Sequence, residues 1–217
     1  MEFYMLGLIH RAKDGPGLLR EWLLRLRPQL ITVEVSRYAL TFRRTHGEAY
    51  KNMIEKASED LRLRGVKIDE RARERLLSFF DIPYEFSVCE EYTSTHGGHL
   101  FPVDMGLFSA IYLRQIQRQI ERSDLEPLLT DGAAYEEERE KTKARLFFEK
   151  GIRTFEYTAE MAQRDRLMAR RIRSLARSLN PKTTVHVCGW QHLADPFRAF
   201  EGLMPRKVFV YGGPVCL

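Results

Sequence analysis

The chain has 217 residues, of which 44% are hydrophobic, and it carries a formal net charge of +5 at pH 7. This composition is typical of a globular protein with a sizeable core, and so modest a positive charge does not call for a nucleic-acid partner. No apolar stretch approaches the roughly twenty residues of a membrane span, and the N-terminus lacks the regions of a secretory signal. We therefore expect a cytoplasmic protein with neither a membrane nor a nucleic-acid partner.

The first predicted strand, Phe3–Leu6, leads into the tetrapeptide Gly7-Leu8-Ile9-His10. A helix is predicted from about residue 18 to residue 26, and the apolar segment 30–35 is then a second strand with Glu34 near its end. A strand–helix–strand unit of this kind places both strands parallel in one sheet. We therefore expect His10 and Glu34 to emerge at the same edge of that sheet.

The middle of the chain is predicted to be rich in helices. Apolar residues recur at helical spacing in five segments, which are residues 48–64, 69–80, 104–120, 133–150 and 152–179. Residues 83–89 are predicted to form a strand, and a polar loop with His96 and His99 follows it. Histidines in such loops are usually exposed to solvent, so these two are left outside the predicted site.

The last part of the chain repeats the first motif. A strand predicted over residues 184–188 leads into Gly189-Trp190-Gln191-His192, which has the same Gly-x-x-His pattern as residues 7–10. Ligands of open α/β sheets bind in the crevice beyond the carboxyl ends of parallel strands. Two matching strand ends therefore predict that His10 and His192 face one site.

A helix opened by Asp195-Pro196 and an apolar strand over residues 207–211 complete the predicted elements. No linker or low-complexity segment divides the chain. The order of the elements predicts a single α/β domain over residues 1–217, with a mainly parallel central sheet, helices on both faces and a helix-rich second half.

Two histidines and a glutamate at strand ends suit two kinds of chemistry. His10, Glu34 and His192 carry the donor atoms of catalytic zinc, manganese or iron sites, which keep open positions for water. A carboxylate beside His10 would equally orient its imidazole for general acid–base catalysis without a metal. Spacing along the sequence does not separate these alternatives.

The order of the motifs resembles that of the TraB/PrgY/Tiki family, within a wider group of ChaN-like and erythromycin-esterase-like proteins. The matching segments are the two Gly-x-x-His motifs, Val33-Glu34 with Arg37 soon after, Val103-Asp104, and Arg164-Asp165 with Met168-Ala169. The sequence departs from the family pattern at Met105, where an arginine is common, and at Gln163, which replaces a glutamate.

This resemblance implies a hydrolase that activates water, metal-bound or free, to cleave a peptide, ester or amide in a peptide or small-molecule substrate. It implies that His10, Glu34 and His192 are catalytic residues or ligands of a divalent Mn, Co, Zn or Fe ion. Substrate-binding roles follow by the same resemblance for four residues, Arg37, Asp104, Arg164 and Asp165. The two departures leave open a second function, which is a non-catalytic protein that binds a metal or haem in the same cleft.

Arg164 is also expected to face the protein interior. It lies three residues after Met161 and four before Met168, on the apolar side of its predicted helix. An inward guanidinium requires a partner, because an unpaired buried charge is costly. Since the resemblance puts Asp104 and Glu34 at the same cleft, we expect one of these carboxylates to bind Arg164.

Overall fold

The computed structural model describes residues 1–121, 125–130 and 137–215. The chain divides into two compact units, of which the first comprises Met1–Val35, Pro83–Met105 and Glu136–Leu217, and the second comprises Ser36–Ile82 and Gly106–Tyr135. Two compact units can still unfold in one cooperative transition, so the single domain over residues 1–217 stays a prediction.

The first unit holds one six-stranded sheet. Its strands are β1 (Glu2–Leu8), β2 (Leu30–Val33), β3 (His99–Pro102), β4 (Thr183–Gly189), β5 (Arg206–Phe209) and β6 (Gly213–Pro214). In space their order is β3-β2-β4-β1-β5-β6, and every neighbouring pair is parallel except β5 and β6. The predicted α/β fold with a mainly parallel sheet is therefore confirmed.

The helices of the described residues fall in both units. In chain order they are α1 (Gly15–Leu26), α2 (Arg37–Leu63), α3 (Glu70–Ser78), α4 (Tyr84–His96), α5 (Gly106–Glu121), α6 (Glu126–Thr130), α7 (Glu137–Lys150) and α8 (Ala159–Leu179). Helices α1, α4, α7 and α8 belong to the first unit, and the other four form the second. No helix among the described residues combines the length and apolar content that crossing a membrane requires.

The core of the first unit covers both faces of the sheet. Phe3 and Met5 of β1 pack in one apolar cluster with Met168 and Ile172 of α8. Side chains alternate across a strand, so Leu6 points to the opposite face, where it is also fully buried. Each such side chain stabilises the fold by about 1.5–3 kcal/mol when it leaves water.

The predicted strand over residues 83–89 is wrong, because this segment begins helix α4. Its buried side chains include Glu85, Val88, Cys89 and Tyr92, which recur at the i, i+3, i+4, i+7 spacing of one helix face. The aromatic and β-branched residues of the segment favoured a strand, but tertiary packing outweighs that propensity. The correction matters because it turns Glu85 into a side chain of the first helical turn.

Capping residues explain where two helices begin. Helix α2 begins at Arg37 rather than near residue 48, because the Ser36 side chain accepts the backbone N–H of Ala39 at 3.0 Å. Helix α8 begins at Ala159 rather than at residue 152, because Thr158 caps it in the same way. The predicted start of α7, at residue 133, lies outside the described residues.

Two further expectations are wrong. No helix opens at Asp195, whose carboxylate instead accepts the backbone N–H groups of Ala199 and Phe200 at 2.7 and 3.0 Å and closes a turn. In α5, Leu107 and Ile111 of the predicted apolar stripe are exposed. Within the second unit, α2 packs against α5 and α3.

Candidate functional site

Four polar residues follow four neighbouring parallel strands. Asp104 follows β3, Glu34 follows β2, His192 follows β4 and His10 follows β1, which is also the order of these strands across the sheet. The expectation that the strands leading to His10, Glu34 and His192 lie side by side is confirmed. Because the strands are parallel, all four residues emerge at one edge.

Glu34 lies at the centre of the site, with 5% of its side chain exposed. Its Oε1 is 2.5 Å from Nη2 of Arg164 and 3.0 Å from Nε2 of His192, while Oε2 accepts the backbone N–H of Gly189 at 2.7 Å. Burial alone would raise the pKa of Glu34, but the charges of His192 and Arg164 hold that pKa well below its usual range. Glu34 is therefore a buried carboxylate that stays ionised.

Arg164 faces inward from α8, as its spacing predicts. Its Nε and Nη2 bind the two carboxylate oxygens of Asp104 at 3.0 and 2.8 Å, and Nη2 also reaches Glu34. Both carboxylates named as expected partners are thus bound by one guanidinium. Burial opposes the charge of Arg164, but these two anions raise its pKa further above the ordinary arginine value.

His192 is held between two carboxylates. Its Nδ1 is 2.5 Å from Oδ1 of Asp165, and its Nε2 faces Glu34. The other Asp165 oxygen, Oδ2, accepts the hydroxyl hydrogen of Tyr157. Burial would lower the pKa of His192, but the Glu34 charge and the bond to Asp165 outweigh it and raise the pKa to about 10. His192 is therefore an imidazolium that donates from both nitrogens at neutral pH.

His10 forms a second histidine–carboxylate pair, with Glu85 of α4. His10 Nδ1 lies 2.7 Å from Glu85 Oε1, and 54% of the histidine side chain is exposed against 5% of the glutamate side chain. Desolvation at the site lowers the pKa of His10, but the charge and hydrogen bond of Glu85 outweigh it, so the net shift is upward. A carboxylate acceptor assigns the Nδ1 hydrogen to this bond, so Nε2 carries no hydrogen when the imidazole is neutral.

The glycines of the two motifs allow close approaches. A Cβ added at Gly189 would lie 2.8 Å from His10 Nε2 and 3.6 Å from Glu34 Oε2, so this glycine leaves room for the imidazole. A Cβ added at Gly7 would lie 2.5 Å from a methyl carbon of Leu193. The glycine of the second motif thus shapes the site, and that of the first lets the chain around His192 pack on β1.

Arg37 belongs to the second unit, and the two histidines of the predicted polar loop lie at other positions of the first unit. Arg37 is the exposed first residue of α2, in the second unit. His99 is the first residue of β3, at the opposite end of that strand from Asp104, and His96 stacks on Tyr92 at the end of α4. Both loop histidines are therefore separate from the strand-end residues.

Sequence reasoning did not single out Glu85 or Tyr157. Glu85 was hidden by the strand predicted over residues 83–89, although Pro83 followed by an acidic residue is a signal for the start of a helix. Tyr157 lies in what was predicted to be the interior of a helix. No sequence signal connects it to Asp165, which it contacts across two helical turns.

Two of the three predicted metal ligands, Glu34 and His192, are engaged by other groups in this arrangement. Glu34 already accepts from Arg164, His192 and Gly189, and the raised pKa of His192 places a proton on each of its nitrogens. A metal ion needs deprotonated ligands with free lone pairs. Within residues 1–121, 125–130 and 137–215, no group of three or more His, Cys, Asp and Glu side chains is arranged to hold a metal ion.

Comparison with protein-family models found no match, and neither did comparison with curated proteins or with solved structures. The resemblance to the TraB/PrgY/Tiki family therefore stays a prediction that rests on the motifs.

Proposed function

We propose that this chain is a hydrolase that cleaves an ester, amide or peptide bond, with His10 as the general base. The observation that supports this proposal best is the His10–Glu85 pair, in which Nδ1 is bound at 2.7 Å and the ring is accessible to solvent. A buried carboxylate that binds one imidazole nitrogen orients the ring and raises its basicity, which are the properties of a general base that takes a proton from water. The activated water then attacks the substrate carbonyl carbon, and the tetrahedral intermediate collapses by breaking the bond to the leaving alcohol or amine, to which His10 returns the proton.

The buried ion pairs provide the electrostatic part of this proposal. Arg164 uses Nε and Nη2 for Asp104 and Glu34, and we assign its remaining donor, Nη1, to a substrate oxygen. A donor held in place before the reaction stabilises the oxyanion of the transition state without reorganisation. In this proposal His192 is a fixed cation that orients Glu34, and it takes no proton from substrate because its pKa is about 10.

The same proposal restricts the class of substrate. We expect a small molecule or a peptide in the cytoplasm, since the proposed base is a single accessible histidine beside otherwise buried groups. Asp104 and Glu34 already neutralise Arg164, so we expect a neutral or cationic substrate rather than an anionic one. In this proposal Arg164 keeps the substrate-binding role that the resemblance implies, through a substrate oxygen rather than an anionic group.

A panel of fluorogenic esters, amides and dipeptides tests the proposal, with each substrate assayed on the purified protein and on His10→Ala. We expect a loss of about 10²–10⁴-fold in kcat/KM for the best substrate. His99→Ala is the matched control, because His99 lies at the other end of the sheet and its removal should leave the rate unchanged. A rate that survives in His10→Ala would reject the proposed base.

Chelation separates the proposed function from a metal-dependent one. We expect full activity after dialysis against EDTA, because the ligand atoms of Glu34 and His192 are engaged in ion pairs. Activity that is lost with EDTA and restored by Mn, Co, Zn or Fe would instead support metal-bound water. Stoichiometric metal or haem on a protein that hydrolyses no member of the panel would support the non-catalytic alternative.

A further inference from the structure

We propose that Tyr157 is a positioning residue of this site, which fixes Asp165 and through it the orientation of His192. Its hydroxyl group donates to Asp165 Oδ2, while Oδ1 of the same carboxylate faces His192 Nδ1 at 2.5 Å. The role of Tyr157 in catalysis rests on the proposed function, whereas its contact with Asp165 is independent of that function.

Asp165 depends on Tyr157 because of its surroundings. The residue is fully buried on α8, where a carboxylate without hydrogen bonds would be costly. One oxygen is bound by His192 and the other by Tyr157. Without the hydroxyl, the carboxylate is free to rotate and to share both oxygens with the imidazole, so the direction of His192 Nε2 towards Glu34 is no longer fixed.

Tyr157 also connects the two chain segments that carry these residues. It immediately precedes Thr158, which caps α8, and its ring packs against the ring of Phe197, with centroids 6.0 Å apart. Phe197 follows His192 in the chain after β4. One tyrosine thus holds the start of α8, which bears Asp165, against the segment that bears His192.

The effect of Tyr157 is confined to one of the groups around His192. The titratable side chains that interact electrostatically with this imidazole include Glu34, Asp165, His10 and His186. Among these, Asp165 is the hydrogen-bond partner of Tyr157. Burial and the neighbouring carboxylate raise the pKa of Tyr157, so the hydroxyl group remains a donor over the whole pH range in which the fold is tested.

The experiment uses Tyr157→Phe, which removes the hydroxyl group and keeps the ring. A hydrogen-bonded imidazolium N–H gives a proton resonance far downfield, and its absence from His192→Gln assigns it to His192. We expect Tyr157→Phe to shift this resonance and to lower kcat about 10-fold, the effect of one hydrogen bond to a charged group, with KM unchanged. Tyr50→Phe is the matched control, because Tyr50 donates to Glu121 at 3.2 Å in the second unit.

The outcomes distinguish the two proposals. An unshifted resonance in Tyr157→Phe, or an equal shift in Tyr50→Phe, overturns the role of Tyr157 whatever the activity. If the protein hydrolyses nothing but Tyr157→Phe still shifts the resonance, the hydrolase proposal fails and the positioning of His192 by Tyr157 stands. If Tyr157→Phe does not fold, 3-fluorotyrosine at position 157 changes the strength of the same bond, and an unchanged resonance there overturns the proposal.

Discussion

Arg164 forms a bidentate ion pair with Asp104 and, through Nη2, also binds Glu34. One guanidinium is therefore shared by two buried carboxylates. Arg164→Ala leaves both without this partner, and we expect the free energy of unfolding to fall by about 3–5 kcal/mol. Urea denaturation followed by tryptophan fluorescence measures the change.

The control for this prediction lies on the same helix. Arg170 is exposed on α8, and Arg170→Ala should change the free energy of unfolding by less than about 0.5 kcal/mol. A loss below about 1 kcal/mol in Arg164→Ala would instead be that of a solvated ion pair.

His192 should make stability fall at alkaline pH. Its pKa is about 10 in the folded protein and about 6.5 in the unfolded chain. The folded pKa is the higher one, so the stabilisation is complete below about pH 6.5 and is lost as the pH rises through about 10. Denaturation midpoints measured across this range should decline in the wild type. His192→Gln should flatten the decline, and an unchanged slope would contradict the charged state of His192.

His186 should make stability fall at acid pH. It is fully buried beside Thr32, with Oγ1 3.1 Å from Nδ1, and burial lowers its pKa to about 4. The folded protein holds His186 in its neutral form. The contribution of this residue to the free energy of unfolding is therefore complete above about pH 6.5 and is lost as the pH falls towards about 4. Acid denaturation of His186→Leu tests this. A variant curve as steep as the wild-type curve in this window would assign the acid sensitivity to other groups.

Gly189→Ala should separate activity from stability. The new Cβ would lie 2.8 Å from His10 Nε2, and the exposed imidazole can move away at little cost to the fold. We expect the free energy of unfolding to change by less than about 1 kcal/mol, while misplacement of the base costs about 10²-fold in kcat/KM. Gly17→Ala, whose Cβ meets no atom within 4 Å, is the control and should keep full activity.

Glu85→Gln should shift the pH dependence of hydrolysis. The proposed base must be neutral to accept a proton, so we expect kcat/KM to rise with pH through the pKa of His10, which Glu85 raises above its ordinary value. Removing the carboxylate charge lowers that pKa, and the acid limb of the profile moves to lower pH. Glu91→Gln, in an exposed ion pair on the same helix, should leave the limb in place. Equal profiles for all three proteins would exclude the His10–Glu85 pair as the base.

The sequence predicted the part of the site that is formed by residues at the ends of the parallel strands. Parallel strands have a fixed geometry, so two motifs at matching strand ends were enough to bring His10 and His192 to one edge. The inward direction of Arg164 followed from helical spacing. These inferences needed only the period of an element and the rule that a buried charge requires a partner.

The contacts that helices and loops add were not predictable in the same way. Glu85 reaches His10 from α4, and Tyr157 reaches Asp165 from the segment before α8. Such partners depend on how helices dock on the sheet, for which local patterns carry no information. The same limit explains why the spacing could not decide between metal binding and acid–base chemistry at Glu34. The contacts of Glu34 that bear on this choice come from α8 and from the residues after β4.

The pairing of β1 bears on how the protein is made. Its two neighbours in the sheet are β4, where Glu2 is in register with Thr183, and β5, where Tyr4 is in register with Arg206. A ribosome therefore completes most of the chain before the first strand can find a partner. Contacts between such distant residues form slowly, and an unpaired apolar strand is prone to aggregate. We expect the nascent chain to require a chaperone that shields its N-terminus until translation has passed β4.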